Sequence, residues 1–363
     1  MTVISHRMRQ QRYNQRGVSL VEVLVSITVG LFILAGVVQL YASSSANAVV
    51  VSGSTIIQEN ARYIFSRLAD DISQAGYAGC FNLAATDIYG SVKVERMKNI
   101  VADHKTVGEL FDFSSFVDGA NEVALNDLTF DSVTLRYASA QQRLPIKSAS
   151  GTTLTVDAAV GSIFKKGDIA LVSDCSRSAV FRVANEPEKT GVISFAKDDG
   201  KSTFNDSTDL EMKIYGSDDI GNLKAGMNLS YLFGGKTGPV QYRIDTSAAG
   251  GAVGKTCSVA TPQYCALFRK VKTSGKGDEL VEGVESFEVE YGWQDYSDSD
   301  KLYFADASGA AGKWALIDRV KVTVTFNSIN RAPTSEGSKL LSRTYSRLFL
   351  LKNQFPADNN LRN

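Results

Sequence analysis

Arg16-Gly17-Val18-Ser19-Leu20-Val21-Glu22-Val23-Leu24-Val25 is the stretch from which the fold of this chain is read. Residues 1–17 before and into it carry Arg7, Arg9, Arg12 and Arg16 and no acid. Val18–Tyr41 is apolar apart from Ser19, Glu22, Ser26, Thr28 and Gln39. As a helix, that run is about 36 Å long at ~1.5 Å per residue. It is long enough for a hydrocarbon core of ~30 Å. The arginines place the leader on the cytoplasmic side and all that follows residue 41 across the membrane. A plain anchor explains the length but not Glu22. A carboxylate in a spanning helix costs up to roughly 2.5–3.5 kcal/mol, so it points to function. A secretory signal peptide cut after Ala46-Asn47-Ala48 is the competing expectation, but the apolar run exceeds the usual ~7–15 residues.

Helical spacing resumes after Ser43-Ser44-Ser45. Ile57, Ala61, Ile64, Leu68, Ile72 and Ala75 recur at intervals of three and four, which sets them on one helix face. Arg62, Arg67, Asp70 and Asp71 are expected on other faces. No proline interrupts residues 18–75, so one continuous helix is expected until Gly76 and Gly79 stop it.

Basic leader, Gly17, hydrophobic Val18, Glu22 and a long apolar helix, in that order, resemble the type III signal of type IV prepilins. The resemblance implies cleavage by prepilin peptidase between Gly17 and Val18. It also implies methylation of the new Val18 amine, and neutralisation of that amine by Glu22 of a neighbouring subunit. Opposite charges in a low-dielectric bundle need each other, and such a pair fixes axial register. Val18 replaces the commoner aromatic or Met, and Ser19 the commoner Thr. Further along, the turn Gly76-Tyr77-Ala78-Gly79-Cys80 after Arg67–Ala75 resembles PilW-type minor pilins. So do Gly167–Cys175, Leu280–Phe287 continuing to Tyr291-Gly292, and the strand around Val320–Asn327.

Beyond residue 80 the pattern is that of half-buried antiparallel strands separated by Gly, Asn, Asp and Ser. Strands are expected at Val133–Tyr137, Thr153–Val156, Ile169–Ser173, Val180–Val183, Glu211–Tyr215, Val240–Ile244, Leu267–Val271, Phe287–Tyr291, Val320–Phe326 and Tyr345–Leu351. Lys197–Gly200 and Ser217–Asp219 read as turns. Residues 81–130 read as an irregular insertion. The expected fold is α+β and pilin-like: a long N-terminal helix packed on a large antiparallel β-rich head. Its divisions are a cleaved leader at 1–17, a hydrophobic transmembrane and assembly helix at 18–42, an amphipathic continuation at 43–76, and a disulfide-stabilised head at 77–363. So large a head suits a filament tip better than a repeating shaft.

Four cysteines beyond the membrane span face an oxidising compartment. Of three possible pairings, Cys80 with Cys175 and Cys257 with Cys265 are expected. Zinc is disfavoured, because there is no Cys-x-x-Cys and only His104 survives removal of the leader that holds His6. Asp295, Asp298 and Asp300 offer oxygen ligands for calcium, yet the EF-hand glycine and distal glutamate are absent, so a solvated acidic turn is expected. Ala249–Thr256 falls one glycine short of a P-loop and reads as a β-loop. His104 has no Ser/Asp companion pattern. No catalytic constellation and no cofactor are expected.

The composition agrees. Across 363 residues, 44% hydrophobic and 21% charged residues exclude disordered and polytopic classes. Balanced counts of 39 basic and 39 acidic residues argue against a nucleic-acid binder, and loss of the leader's four arginines leaves an excess of acids. The resemblance implies a single-pass inner-membrane pilin with a periplasmic head, extracellular once assembled. Its partners would be the major pilin, other minor pilins, prepilin peptidase and membrane lipid. It would prime pilus assembly and support twitching, adhesion or DNA uptake. A J-type pseudopilin of type II secretion shares this plan. A secreted adhesin or binding module is the alternative from another class.

Overall fold

A computed structural model gives the fold. It describes residues 17–78, 81–82, 88–89, 92–93, 97–102, 115–158, 163–173, 178–187, 190–210, 228–232, 239–249, 255–271, 276–295, 301–334 and 337–353. One helix, α1, runs unbroken over Leu20–Gln74 for 55 residues. At ~1.5 Å per residue it is about 82 Å long. It begins two residues later than expected because Ser19 acts as the N-cap. Its extended backbone turns the chain into the helix, its hydroxyl accepts from Val21 N at 3.3 Å, and its carbonyl accepts from Val23 N at 3.1 Å.

The far end of α1 stops where glycine permits. Gly76 has φ +80°, the left-handed region that ends many helices. The last carbonyls are not left orphaned. Asn353, from near the other end of the chain, brings its side-chain amide within 3.2–3.4 Å of the carbonyls of Ser73, Gln74 and Ala75.

Ile57, Ala61, Ile64, Leu68, Ile72 and Ala75 are all buried, as their spacing requires. Full burial of each large member contributes about 1.5–3 kcal/mol. Phe65 joins them and stacks on Phe349 with ring centroids 6.3 Å apart. Asp71 departs from the expectation. It is 1% exposed and lies on the buried face. It sits three residues after Leu68 and seven after Ile64, so helix geometry puts it on the same stripe.

Two antiparallel sheets close over this half of the helix. The first has the order Asp278–Glu282, Cys265–Lys270, Val240–Thr246, Leu128–Leu135, Val117–Leu125. The second has the order Lys301–Ala305, Val284–Asp295, Arg319–Asn327, Ser342–Leu350. Val133, Leu135, Tyr242, Leu267, Phe287, Val289, Val322 and Val324 from both sheets share one core with the helix. Asp131 of the first sheet accepts from Val289 N of the second at 2.8 Å. Tyr291 passes across to donate to the Ser132 carbonyl at 3.3 Å.

A second β unit stands beside this core. Its main sheet has the order Met97–Asn99, Ser178–Arg182, Ile169–Ser173, Asn228–Leu232, Ala138–Pro145, and only the first pair is parallel. A smaller sheet of Val192–Ser194, Thr153–Thr155 and Ser148–Ser150 completes it. Phe164, Phe181, Phe195 and Ile193 fill its own core. Leu135 and Val240 are register partners in the first sheet, so segment 136–239 leaves and returns at neighbouring backbone positions.

Ile169–Ser173, Val240–Ile244, Phe287–Tyr291 and Val320–Phe326 fall within observed strands. Five others overlap observed strands but run past their ends, at Arg136-Tyr137, Val156, Val183, Val271 and Leu351. The expected strand Glu211–Tyr215 and the turn Ser217–Asp219 lie outside the described residues. Part of 81–130, expected as irregular, is regular: Val117–Leu125 and Leu128–Leu135 form a hairpin with a register shift between Ala120 and Val123. Gly119 and Asn121 disguise the alternation there, and Glu122 at the shift has φ +55°.

Candidate functional site

Two places on the helix carry chemistry that its fold does not need for its own sake. The first is the N-terminal end. Gly17, Val18 and Ser19 precede the helix and are exposed, and a side chain at Gly17 would meet open space. The Gly17–Val18 bond therefore lies in accessible, non-helical backbone. Glu22 follows in the first helical turn, where a carboxylate also complements the helix dipole.

Beyond Glu22 the helix is apolar on every side, and that surface is bare. Leu20, Val21, Leu24, Val25, Ile27, Leu31, Phe32, Leu34, Leu40 and Tyr41 are each more than half exposed. Soluble proteins do not leave such a surface uncovered. The segment is long and apolar enough to cross a membrane. Its hydroxyls are absorbed by the helix itself. Ser26 donates to the Glu22 carbonyl at 2.7 Å, and Thr28 to the Val25 carbonyl at 2.8 Å. The Glu22 carboxylate has no such local outlet, because an acceptor cannot bond a carbonyl. It stands as the one charge on the apolar segment, four residues after Val18.

The second place is Asp71, in the last turns of α1. Its Oδ1 accepts from the Tyr137 hydroxyl at 2.8 Å and from Arg269 Nη2 at 3.3 Å. Its Oδ2 accepts from Arg269 Nε at 2.6 Å and from the Tyr242 hydroxyl. Four donors fill the capacity of one carboxylate. Tyr242 and Arg269 are register partners on adjacent strands, so the first sheet presents them side by side. Burial and then the Asp71 charge push both tyrosine pKa values up, which keeps the phenols as donors. Burial is the largest single influence on Arg269 and works against its charge, but the hydrogen bonding and the charge of Asp71, with the two tyrosines, together outweigh it and raise its pKa above the ordinary arginine value. None of these four residues stood out in the sequence. The signal available was the position of Asp71 on the stripe of Ile64 and Leu68.

Of the cysteines, Cys257 and Cys265 are bonded, with Cα atoms 4.4 Å apart, and both are fully buried. Cys80 and Cys175 lie outside the described residues, as do His104, Asp298, Asp300 and residues 250–254 of the P-loop-like stretch. Asp295 ends the strand Val284–Asp295. Among the described residues, no group of His, Cys, Asp and Glu is placed to hold a metal ion.

Comparison with known families falls on the same features. A model of the prokaryotic N-terminal methylation motif matches residues 12–38, and a model of type IV pilus-assembly protein W matches residues 241–355. These two matches support a PilW-like type IV pilin. No curated protein and no solved structure matches the chain. The part matched to protein W runs from Gln241 in the first sheet through the whole second sheet. It includes Tyr242 and Arg269 of the Asp71 cluster. The second β unit lies outside it.

Proposed function

We propose that prepilin peptidase removes residues 1–17 and that the new Val18 amine is methylated. The helix 18–42 then holds the subunit in the inner membrane, with 43–76 continuing the stem and the head at 77–363 in the periplasm. On assembly, Glu22 neutralises the Val18 amine of a neighbouring pilin. The subunit joins other minor pilins, primes polymerisation of the major pilin and stays at the filament tip, where it is extracellular. Pilus formation, and through it twitching, adhesion or DNA uptake, depends on it. The role is non-catalytic.

The observation that carries this reading is the single carboxylate on a bare apolar helix, four residues beyond an accessible Gly17–Val18 bond. A lone charge there costs free energy in lipid and gains only when a cation arrives. The large head, with its additional β unit, supports an end position over a repeating one.

The test is Glu22→Ala in cells. Expected are normal membrane levels and head folding with loss of incorporation into sheared filaments. Normal incorporation would refute the charge-pair mechanism. Deletion of the whole chain should lower the number of surface pili, and an unchanged number would refute the priming role.

A further inference from the structure

We propose that the Asp71 cluster is a register latch. It selects one axial position and one rotation of the helix on the head, so that displacement of the stem is passed to the head without slip. The proposal rests on the helix–head geometry and not on which filament the chain serves.

The apolar stripe alone does not select a register. Ile57 and Ile64, Ala61 and Leu68, and Phe65 and Ile72 are pairs separated by seven residues, about two turns. A slide of that size replaces one buried apolar side chain by another. The cluster is not degenerate in this way. At Asp71 the head presents two tyrosine hydroxyls and a bidentate guanidinium, all donors. A seven-residue slide places Ile64 or Ala78 there, with no acceptor. A four-residue slide places Arg67 or Ala75, which brings either a like charge to Arg269 or nothing. A three-residue slide places Leu68 or Gln74. Only Asp71 satisfies all the donors, and buried unsatisfied donors are costly. Buried ion pairs are often no more stable than apolar substitutes, and selection of one arrangement is their best-attested use.

The experiment uses the mature full chain in detergent micelles. Spin labels are placed through Tyr63→Cys on the exposed side of the helix and Leu348→Cys on the exposed side of the second sheet. With the cluster intact, one narrow distance distribution is expected. A quadruple apolar variant (Asp71→Leu, Arg269→Met, Tyr137→Phe, Tyr242→Phe) should unfold at no lower temperature. Its distance distribution should be at least about twice as wide, or show a second peak displaced by up to about 10 Å, the rise of a seven-residue slide. A folded quadruple variant with the original narrow distribution overturns the proposal, as does a broad distribution with the cluster intact. If the quadruple variant does not fold, Arg269→Lys decides. It keeps the charge and loses the fork, so widening supports the latch and an unchanged width overturns it.

Discussion

Removing the Asp71 carboxylate alone should be among the most damaging single changes in the head. Asp71→Ala removes the buried carboxylate to which Arg269, 6% exposed, and the Tyr137 and Tyr242 hydroxyls donate. Breaking a buried ion pair from one side costs about 3–5 kcal/mol, because the surviving charge stays desolvated. The alanine cavity adds little, since an aspartate side chain is small. For domains of 150–250 residues, each kcal/mol moves Tm by about 2–4 °C. The head is larger than that range, so the slope of about 2 °C applies and the expected loss is roughly 6–10 °C. Asp71→Asn should cost nearly as much, because its amide N–H would face donors. The assay is thermal unfolding of the mature chain in detergent, followed by near-UV circular dichroism. A loss below about 1 kcal/mol, the range of exposed ion pairs, would refute the reasoning that this pair is dry and fully engaged.

Three other outcomes follow from particular contacts. Gly119→Ala would drive a methyl group into the Tyr291 hydroxyl and the Ser132 carbonyl, so it should destabilise the head by about 1–3 kcal/mol in denaturant titration; a neutral result would mean the two sheets separate easily there. Asn353→Ala removes the amide shared by the last helix carbonyls and should cost about 0.5–1.5 kcal/mol, with faster amide exchange confined to the end of α1; uniform exchange changes would contradict a local cap. Asp199 titrates below the ordinary carboxylate range because of its hydrogen bond from Lys166. The pair's contribution is present above that ordinary value and is lost as pH falls toward the folded pKa; Lys166→Met should raise the Asp199 midpoint in an NMR titration, and no change would remove Lys166 as the cause.

The helix was legible because its two halves follow separate rules. Val18–Tyr41 is apolar without period, as a lipid-facing segment must be, and Ile57–Ala75 is apolar with period, as a helix against a head must be. Strands such as Val240–Ile244 and Val320–Phe326 were legible because one side is wet and the other dry. Val117–Leu125 was not, because a bulge breaks its alternation. The second β unit was not legible as a separate unit, since the pairings of Leu135 with Val240 and of Met97–Asn99 with Ser178–Val180 are contacts between distant residues. Asp71 hid for a different reason. Charge on a helix usually marks the solvent side, and only the head, supplying Tyr137, Tyr242 and Arg269, makes the exception affordable. Glu22 was legible for the converse reason: a charge inside an unbroken apolar run has no solvent side to mark.

The mass and sequence of the mature N-terminus test the central claim most directly. Purified from membranes or sheared filaments, the chain should begin at Val18 and carry one added methyl group on its amine. A chain that begins at Val49, or one that keeps residues 1–17, would contradict it.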